Sequence, residues 1–287
     1  LRSLVEGTPP GDLSTLRNPH CVHDLRRAVE ATVGAPPVAV AAQPRGLARP
    51  DPTHPLLRRA AELAAGDTYR APAVGAVAAM FADHILHGRV VVPGAGYLEM
   101  VSSACLQAAG AVSAVACLTG ALFLAPLVLG GDAMVIECEC GRRGQFEVRS
   151  GAAADAAELT KHCVGDYASA GSVATEHGSG APPADAMGVD VLELYRVFAT
   201  LGLQYGPDYR RVSHAWTCED PSVVLALLRA CDAFPGVPIH PADVDAAVQL
   251  SLLPRAGEQE LRLPFAVEQV LVATVRGGYH PTKPRRE

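Results

Sequence analysis

The chain has 287 residues, 49% of them apolar and 19% charged, a balance that excludes wholesale disorder and predicts a packed interior. Its net charge of -6, with no Lys/Arg-rich run and only 5% aromatic residues, excludes a basic, aromatic-lined nucleic-acid surface. No stretch reaches the roughly 18 to 20 uninterrupted apolar residues of a membrane helix.

Length alone suggests two domains or one doubled one. The chain opens on Leu1 without a charged-then-apolar signal pattern, so the expectation is an excised piece of a soluble protein, with any targeting signal carried elsewhere. Eight cysteines, at 21, 105, 117, 138, 140, 163, 218 and 231, lack the paired spacing of a zinc site and the density of a disulfide scaffold. They read as reduced, mostly buried thiols of a cytoplasmic protein.

In chain order, residues 1–53 hold a helical candidate, His20–Val33, and then Ala35–Pro52 with five prolines, which reads as a linker with a short helix. Arg89–Val92 is a β-branched run that meets Pro93-Gly94. After it Tyr97, Met100, Val101, Ala104, Cys105 and Ala108 recur at helical spacing. Ala133–Glu139 alternates, with Met134, Ile136 and Cys138 on one face and Glu137 and Glu139 on the other; Gln145–Arg149 does the same more briefly. Both predict antiparallel strands. From Ala168 to Gly188 the sequence is dominated by Ala, Gly, Ser and Pro and loses periodicity, as a flexible linker does.

The plan then repeats. Val223–Leu228 is strand-like, Pro241 opens a segment with Val244, Ala247, Val248 and Leu252 on one helical face, and Phe265–Val275 is again strand-like. A central helix wrapped by antiparallel strands, twice over, is an α+β architecture. The expected divisions are a linker over 1–53, a first unit over 54–170, a flexible linker over 171–187 and a second unit over 188–287. After Val275 the chain ends in the polar, Pro-containing Tyr279–Glu287, so either the last strands of the second unit are missing, which would leave an unpaired sheet edge, or the sequence is divergent there.

The sharpest local feature is His84-x3-Gly88-x4-Pro93, followed by Gly94 and Tyr97-Leu98-Glu99-Met100. A second is Tyr205-Gly206-Pro207-Asp208-Tyr209 and a third is His240-Pro241-x3-Asp245-Ala246-x2-Gln249. In content, order and separation these resemble the signatures of polyketide synthase dehydratase domains. Weaker echoes are His54-Pro55-Leu56-Leu57, Leu124-x-Pro126-Leu127 and Leu263-Pro264-Phe265. The resemblance covers about residues 54–275 and departs from the family in two places: Tyr209 stands for the usual Phe, and Phe81-Ala82 for the usual Trp before Asp83-His84. It implies a double hot-dog fold, two antiparallel sheets each wrapped around a central helix. It also implies dehydration of a β-hydroxyacyl thioester, with no bound cofactor, the substrate being delivered on the phosphopantetheine of an acyl carrier protein. Neighbouring synthase domains and a second copy of the chain are the implied partners.

That chemistry needs a base for the α-proton and an acid for the departing hydroxyl. An imidazole titrates near neutrality, and a carboxyl in an apolar pocket is held protonated. His84 is therefore the expected base and Asp245 the expected acid. Gly94, at a Pro-Gly entry to a helix, offers backbone N–H groups and the positive end of the dipole to a developing enolate, and a side chain there would obstruct close approach. Gln249 falls one turn after Asp245, where its amide can orient the carboxyl; Tyr205 lines the cleft. Pro93, Gly88 and Pro207 complete the supporting set.

Each residue also has a plain structural reading. Asp245 alone is an ordinary first-turn acid, as Asp243 is, and Gln249 is equally a solvated side chain. His84 and His87, and His20-Cys21-x-His23, lack the further ligands a metal site requires. Cys138-x-Cys140 reads as two inward residues of one strand, and His162 as a structural residue of a strand over 161–165. Gly94-x-Gly96 fails as a dinucleotide loop because Glu99 occupies the third glycine position. The same fold also accommodates a double-bond isomerase, a product-template-like cyclase, or a non-catalytic structural module, and these alternatives stand beside dehydration.

Overall fold

The structure, a computed structural model, describes residues 38–39, 54–63, 66–109, 115–130, 134–152, 159–170, 186–219, 224–229, 237, 239–251 and 265–273. The expected helix at His20–Val33 and the end of the chain after Ala273 lie outside them. Within the segment read as a linker, Val38–Ala39 form a short strand, β1. Then come β2 (Arg58–Leu63), β3 (Gly66–Pro72), helix α1 (Ala76–Phe81), β4 (His84–Leu86), β5 (Arg89–Val92) and helix α2 (Gly94–Ala109). The first half continues with β6 (Val115–Phe123), β7 (Leu127–Val128), β8 (Met134–Gly141), β9 (Gln145–Ala152) and β10 (Thr160–Ala170). The second half contributes β11 (Met187–Val189), α3 (Val191–Thr200), β12 (Leu203–Tyr205), β13 (Val212–Thr217), β14 (Val224–Leu228), α4 (Pro241–Ser251) and β15 (Ala266–Ala273).

Eight strands form one sheet in the order β1-β15-β6-β10-β9-β8-β3-β2, antiparallel throughout except for the β1–β15 pair. Helix α2 packs on β6, β8 and β10 and touches α4, so it is the buried axis of the first half. Its Tyr97, Met100, Val101, Ala104 and Cys105 are buried as their spacing predicts, and Leu98, Glu99, Ser102 and Ser103 between them are buried as well. Cys138 and Cys140 both point into the same core, their sulfurs 3.7 Å apart. The second half contributes two smaller groups, a sheet β11-β13-β14 and the strand β12, which joins β4, β5 and β7. Its last strand, β15, enters the large sheet beside β6 and has β1 on its other side.

Two expectations are corrected. The break read from Ala168 to Gly188 is shorter, because Ala168–Ala170 continue β10 and Met187–Gly188 belong to β11; hydrogen bonds of the ladder outweigh the low strand propensity of Ala and Gly. Helix α4 buries Pro241, Ala242, Val244, Asp245, Ala246 and Gln249, while Ala247 and Val248 are half-exposed. Of the expected apolar face Val244 is buried, but the inner face is partly polar, so the apolar spacing locates it only in part. Leu252 lies outside the described residues.

Glu137, expected on the outer face of β8, is buried beneath two cations: Arg70 donates to its Oε2 and Arg149 to its Oε1. Burial by itself raises that carboxyl, but the two arginines outweigh it and hold Glu137 below its ordinary value of 4.5. A carboxylate depressed by folding contributes stability above its unfolded pKa and loses it as pH falls through the folded one. Chemical denaturation should therefore show stability declining as pH drops below about 4.5. Glu137→Gln should be less stable than wild type at neutral pH and show a flatter acid-side decline.

Candidate active site

His84 is the first residue of β4, in a hairpin whose turn is His87-Gly88. Both turn residues have positive φ, 48° and 74°, the geometry of a tight turn that matches strand twist and favours Gly. Gly88 is thus a turn residue at the exposed end, its N–H donating to Gln204 Oε1. His87 is exposed there, as expected.

The His84 ring is buried, and its Nδ1 lies 2.6 Å from the Val91 carbonyl oxygen on the returning strand. A carbonyl only accepts, so Nδ1 carries the hydrogen and Nε2 presents its lone pair. Nε2 lies 3.9 Å from Asp245 Oδ1. That is beyond hydrogen-bonding range, so the two groups face each other without being joined. Residues 161 apart in number come together because α4 packs on α2 and β12 pairs with β4.

The register of that pairing sets Tyr205 opposite His84. The Tyr205 ring centroid is 5.6 Å from the imidazole and that of Tyr209 is 5.3 Å, so two aromatic rings flank the base. Burial, then the charge of Asp245, pushes the Tyr205 phenol far above its ordinary value, which keeps it neutral. Asp83 fixes the turn between the two tyrosines: its carbonyl accepts from Gly206 N at 2.8 Å and its Oδ2 from Asp208 N at 2.7 Å. A Cβ on Gly206 would lie 2.3 Å from the Asp83 carboxyl carbon, which explains glycine there. Pro207 is exposed in this turn.

Asp245 is buried on α4. Burial raises its carboxyl above the ordinary value, against the opposing pull of His84 and of the Gln249 hydrogen bond. Gln249, fully buried, donates from Nε2 to Asp245 Oδ2 at 2.8 Å and to the Tyr209 carbonyl at 3.0 Å. The solvated reading of Gln249 is therefore excluded. Its Oε1 accepts from Tyr195 OH at 3.0 Å, and Tyr195 in turn accepts from Val212 N at 3.2 Å.

Gly94 opens α2 three residues beyond Val91, and the first-turn N–H groups of a helix have no carbonyl one turn back to bond. Pro93 is buried, and its carbonyl accepts from Gly96 N. The space a Cβ on Gly94 would need is filled by the Phe123 ring, at 2.8 Å, so packing against β6 is a reason for glycine that the sequence did not reveal. His162 is structural, as expected: Nδ1 donates to the Ala125 carbonyl and Nε2 accepts from Ser150 Oγ at 2.7 Å, and burial lowers its pKa. Among the described residues no group of three or more His, Cys, Asp or Glu side chains is placed to hold a metal ion, and no helix is long and apolar enough to cross a membrane.

Tyr195, Asp83 and the ring of Tyr209 are contributors that sequence reasoning missed. Tyr195 lies in a helix with no motif of its own, and only its position ten residues before Tyr205 could have drawn attention to it.

Residues 54–151 match the family described as polyketide synthase dehydratase domain, and residues 173–285 match polyketide synthase dehydratase N-terminal domain. Among curated proteins, polyketide synthase ThaG of Burkholderia thailandensis is 33% identical over 212 residues, 66% of this chain, and polyketide synthase PksN of Bacillus subtilis is 28% identical over 214 residues, 67% of it. The chain spans about 4% of the length of either. Among solved structures, the dehydratase domain of RzxB from Pseudomonas fluorescens is 26% identical with a TM-score of 0.64, over 77% of this chain and 83% of that one. The dehydratase domain from the CurK module of curacin polyketide synthase is 18% identical with the same TM-score, over 75% and 82%. Two further structures are inactive CurK dehydratase mutants, one Asp to Asn and one His to Phe. Another is an isomerase-inactive variant of GphF dehydratase, at 22% identity and a TM-score of 0.63.

The Asp83 bracket makes a testable demand. Gly206→Ala should destabilise the protein by about 1–3 kcal/mol through overpacking. In an Asp83→Ala background, where the obstructing carboxylate is gone, the same change should cost less, and denaturant titrations of the four proteins in a double-mutant cycle measure the difference. Strict additivity would show that the two residues do not meet.

Proposed function

We propose that this chain, which belongs to the polyketide synthase dehydratase family, removes water from a β-hydroxyacyl thioester to give the α,β-unsaturated thioester. His84 is the base and Asp245 the acid. What supports this most directly is the facing pair itself: an imidazole with its free nitrogen towards a buried carboxyl whose pKa is raised, 3.9 Å apart and not joined by a hydrogen bond. The inactive CurK dehydratase mutants are altered at the same two residue types.

The steps balance. His84 Nε2 takes the proton from the α-carbon, and the electron pair of that C–H bond becomes the new double bond. The C–O bond at the β-carbon breaks as Asp245 Oδ1 gives its proton to the leaving hydroxyl, which departs as water. Transient negative charge on the thioester oxygen is met by the first-turn N–H groups of α2, beginning at Gly94. Return of the proton from Nε2 to Oδ1 restores both residues. Because Nε2 and Oδ1 lie only 3.9 Å apart, both reach the substrate from one side, and proton and hydroxyl leave from the same face.

The first hot-dog is carried by residues 54–170 and the second by those from Met187 onward. The chain works inside a larger cytoplasmic synthase. Its substrate arrives on the phosphopantetheine of an acyl carrier protein, and two copies of the chain associate. The isomerase-inactive GphF variant gives one specific ground for a second reading, since the same base and acid also move a double bond by proton removal and return.

Given a 3-hydroxyacyl thioester on a pantetheine handle, the wild-type chain should remove water from it, or add water to the enoyl thioester in reverse, and mass spectrometry of the thioester should record a change of roughly 18 Da. His84→Ala and Asp245→Asn should each reduce the rate by at least about 100-fold. Folded wild-type protein that binds the 3-hydroxyacyl thioester and leaves it unchanged, yet shifts the double bond of the corresponding enoyl thioester, would favour the isomerase reading.

A further inference from the structure

The network behind Asp245 has a direction. The Tyr209 carbonyl only accepts, so the Gln249 nitrogen that meets it at 3.0 Å must be the NH2 end of the amide. The second hydrogen of that NH2 group points at Asp245 Oδ2, 2.8 Å away. On the other side, Val212 N–H only donates and occupies the Tyr195 oxygen, which leaves the Tyr195 hydroxyl hydrogen for Gln249 Oε1. All of these groups are buried, where a reversed amide would set Oε1 against two other oxygens and leave the Tyr195 hydrogen without an acceptor.

We propose that Tyr195 is a positioning residue for the reaction: by locking the Gln249 amide, it makes Asp245 Oδ2 an acceptor only and thereby assigns the transferable proton to Oδ1, the oxygen that faces His84. The inference rests on the reading of Asp245 as the acid. A carboxylic acid has one hydrogen on two oxygens. An oxygen already receiving an N–H from Gln249 is the poorer place for it, so the proton sits on the oxygen open to the cleft. Without that lock the acid spends part of its time with its proton turned towards Gln249, away from the substrate.

The groups around Asp245 are His84 on β4, the phenols of Tyr205 on β12 and Tyr195 on α3, the Tyr209 carbonyl, and Gln249 one turn further along α4. Asp243, on the same helix, is paired with Arg211 Nε at 3.1 Å. Among these, Gln249 and His84 favour the ionised carboxyl and burial disfavours it. Loosening Gln249 removes one of the two favourable contacts, so the Asp245 pKa should rise.

The test is the pH dependence of kcat for wild type, Tyr195→Phe, Gln249→Met and the double variant, acting on a 3-hydroxyacyl pantetheine thioester. Tyr195→Phe should lower kcat by on the order of 10-fold, leave KM close to wild type, and move one limb of the profile to higher pH while the other stays. Gln249→Met, which keeps the volume and buries no unpaired amide, should move the same limb, and adding Tyr195→Phe to it should move it no further. A limb unmoved in either single variant, or a further shift in the double variant, overturns the proposal, since a merely structural tyrosine would lower activity without selecting one limb. Asp245→Asn separates this from the underlying reading. If that variant is active, Asp245 is not the acid; if it is dead while Tyr195→Phe leaves the limb in place, only the role of Tyr195 fails.

Discussion

Three residues of strand pairing hold the two halves of the site together. Leu203, Gln204 and Tyr205 lie antiparallel to Leu86, Ile85 and His84, so a strand from the second half becomes the edge of the hairpin that carries the base. Side-chain period along a strand is two, and a slip of one residue would turn Tyr205 away from His84 and bring an exposed glutamine in its place. The register is pinned at both ends. At one, the His87 amide donates to the Gly202 carbonyl and Gly88 to the Gln204 side chain. At the other, Asp83 brackets Gly206 and Asp208.

A second constraint acts from the opposite wall. A carboxyl taken out of water needs hydrogen-bond partners or it must stay neutral, and Asp245 has both the partner and the raised pKa. Gln249 is buried in turn and needs partners of its own, found on Tyr195 and on the backbone of Tyr209. The turn that carries Tyr209 is the one Asp83 fixes. Base and acid therefore depend on the same short segment, 205–209, although one sits on a strand and the other on a helix.

Much of this was legible in the sequence. The Pro93-Gly94 step after a β-branched run marks a strand followed by a helix start, and both are present as β5 and α2. The register after His240-Pro241 selects Asp245 over Asp243, and the structure buries Asp245 opposite His84 while Asp243 pairs with Arg211. What the sequence hid follows from tertiary contact. The inner face of α4 is lined by Asp245 and Gln249 as well as by Ala242, Val244 and Ala246, so apolar spacing alone does not define it. Glu137 is buried only because Arg70 and Arg149, from two neighbouring strands, cover it. Tyr195 gains its importance from a partner 54 positions away, and no local pattern encodes that.

The position of β15 bears on how the chain acquires its shape. Within the large sheet, β6 lies between β10 and β15, and Leu118 is paired with Val270, about 150 residues further on. Until the last described strand emerges, β6 offers one row of unpaired amides and carbonyls, so the first half made on a ribosome waits with an open flank. Pairings this distant in sequence are slow to form because loop closure comes before any gain. The two halves are thus unequal during synthesis: the earlier one assembles most of its sheet alone, and the later one completes it.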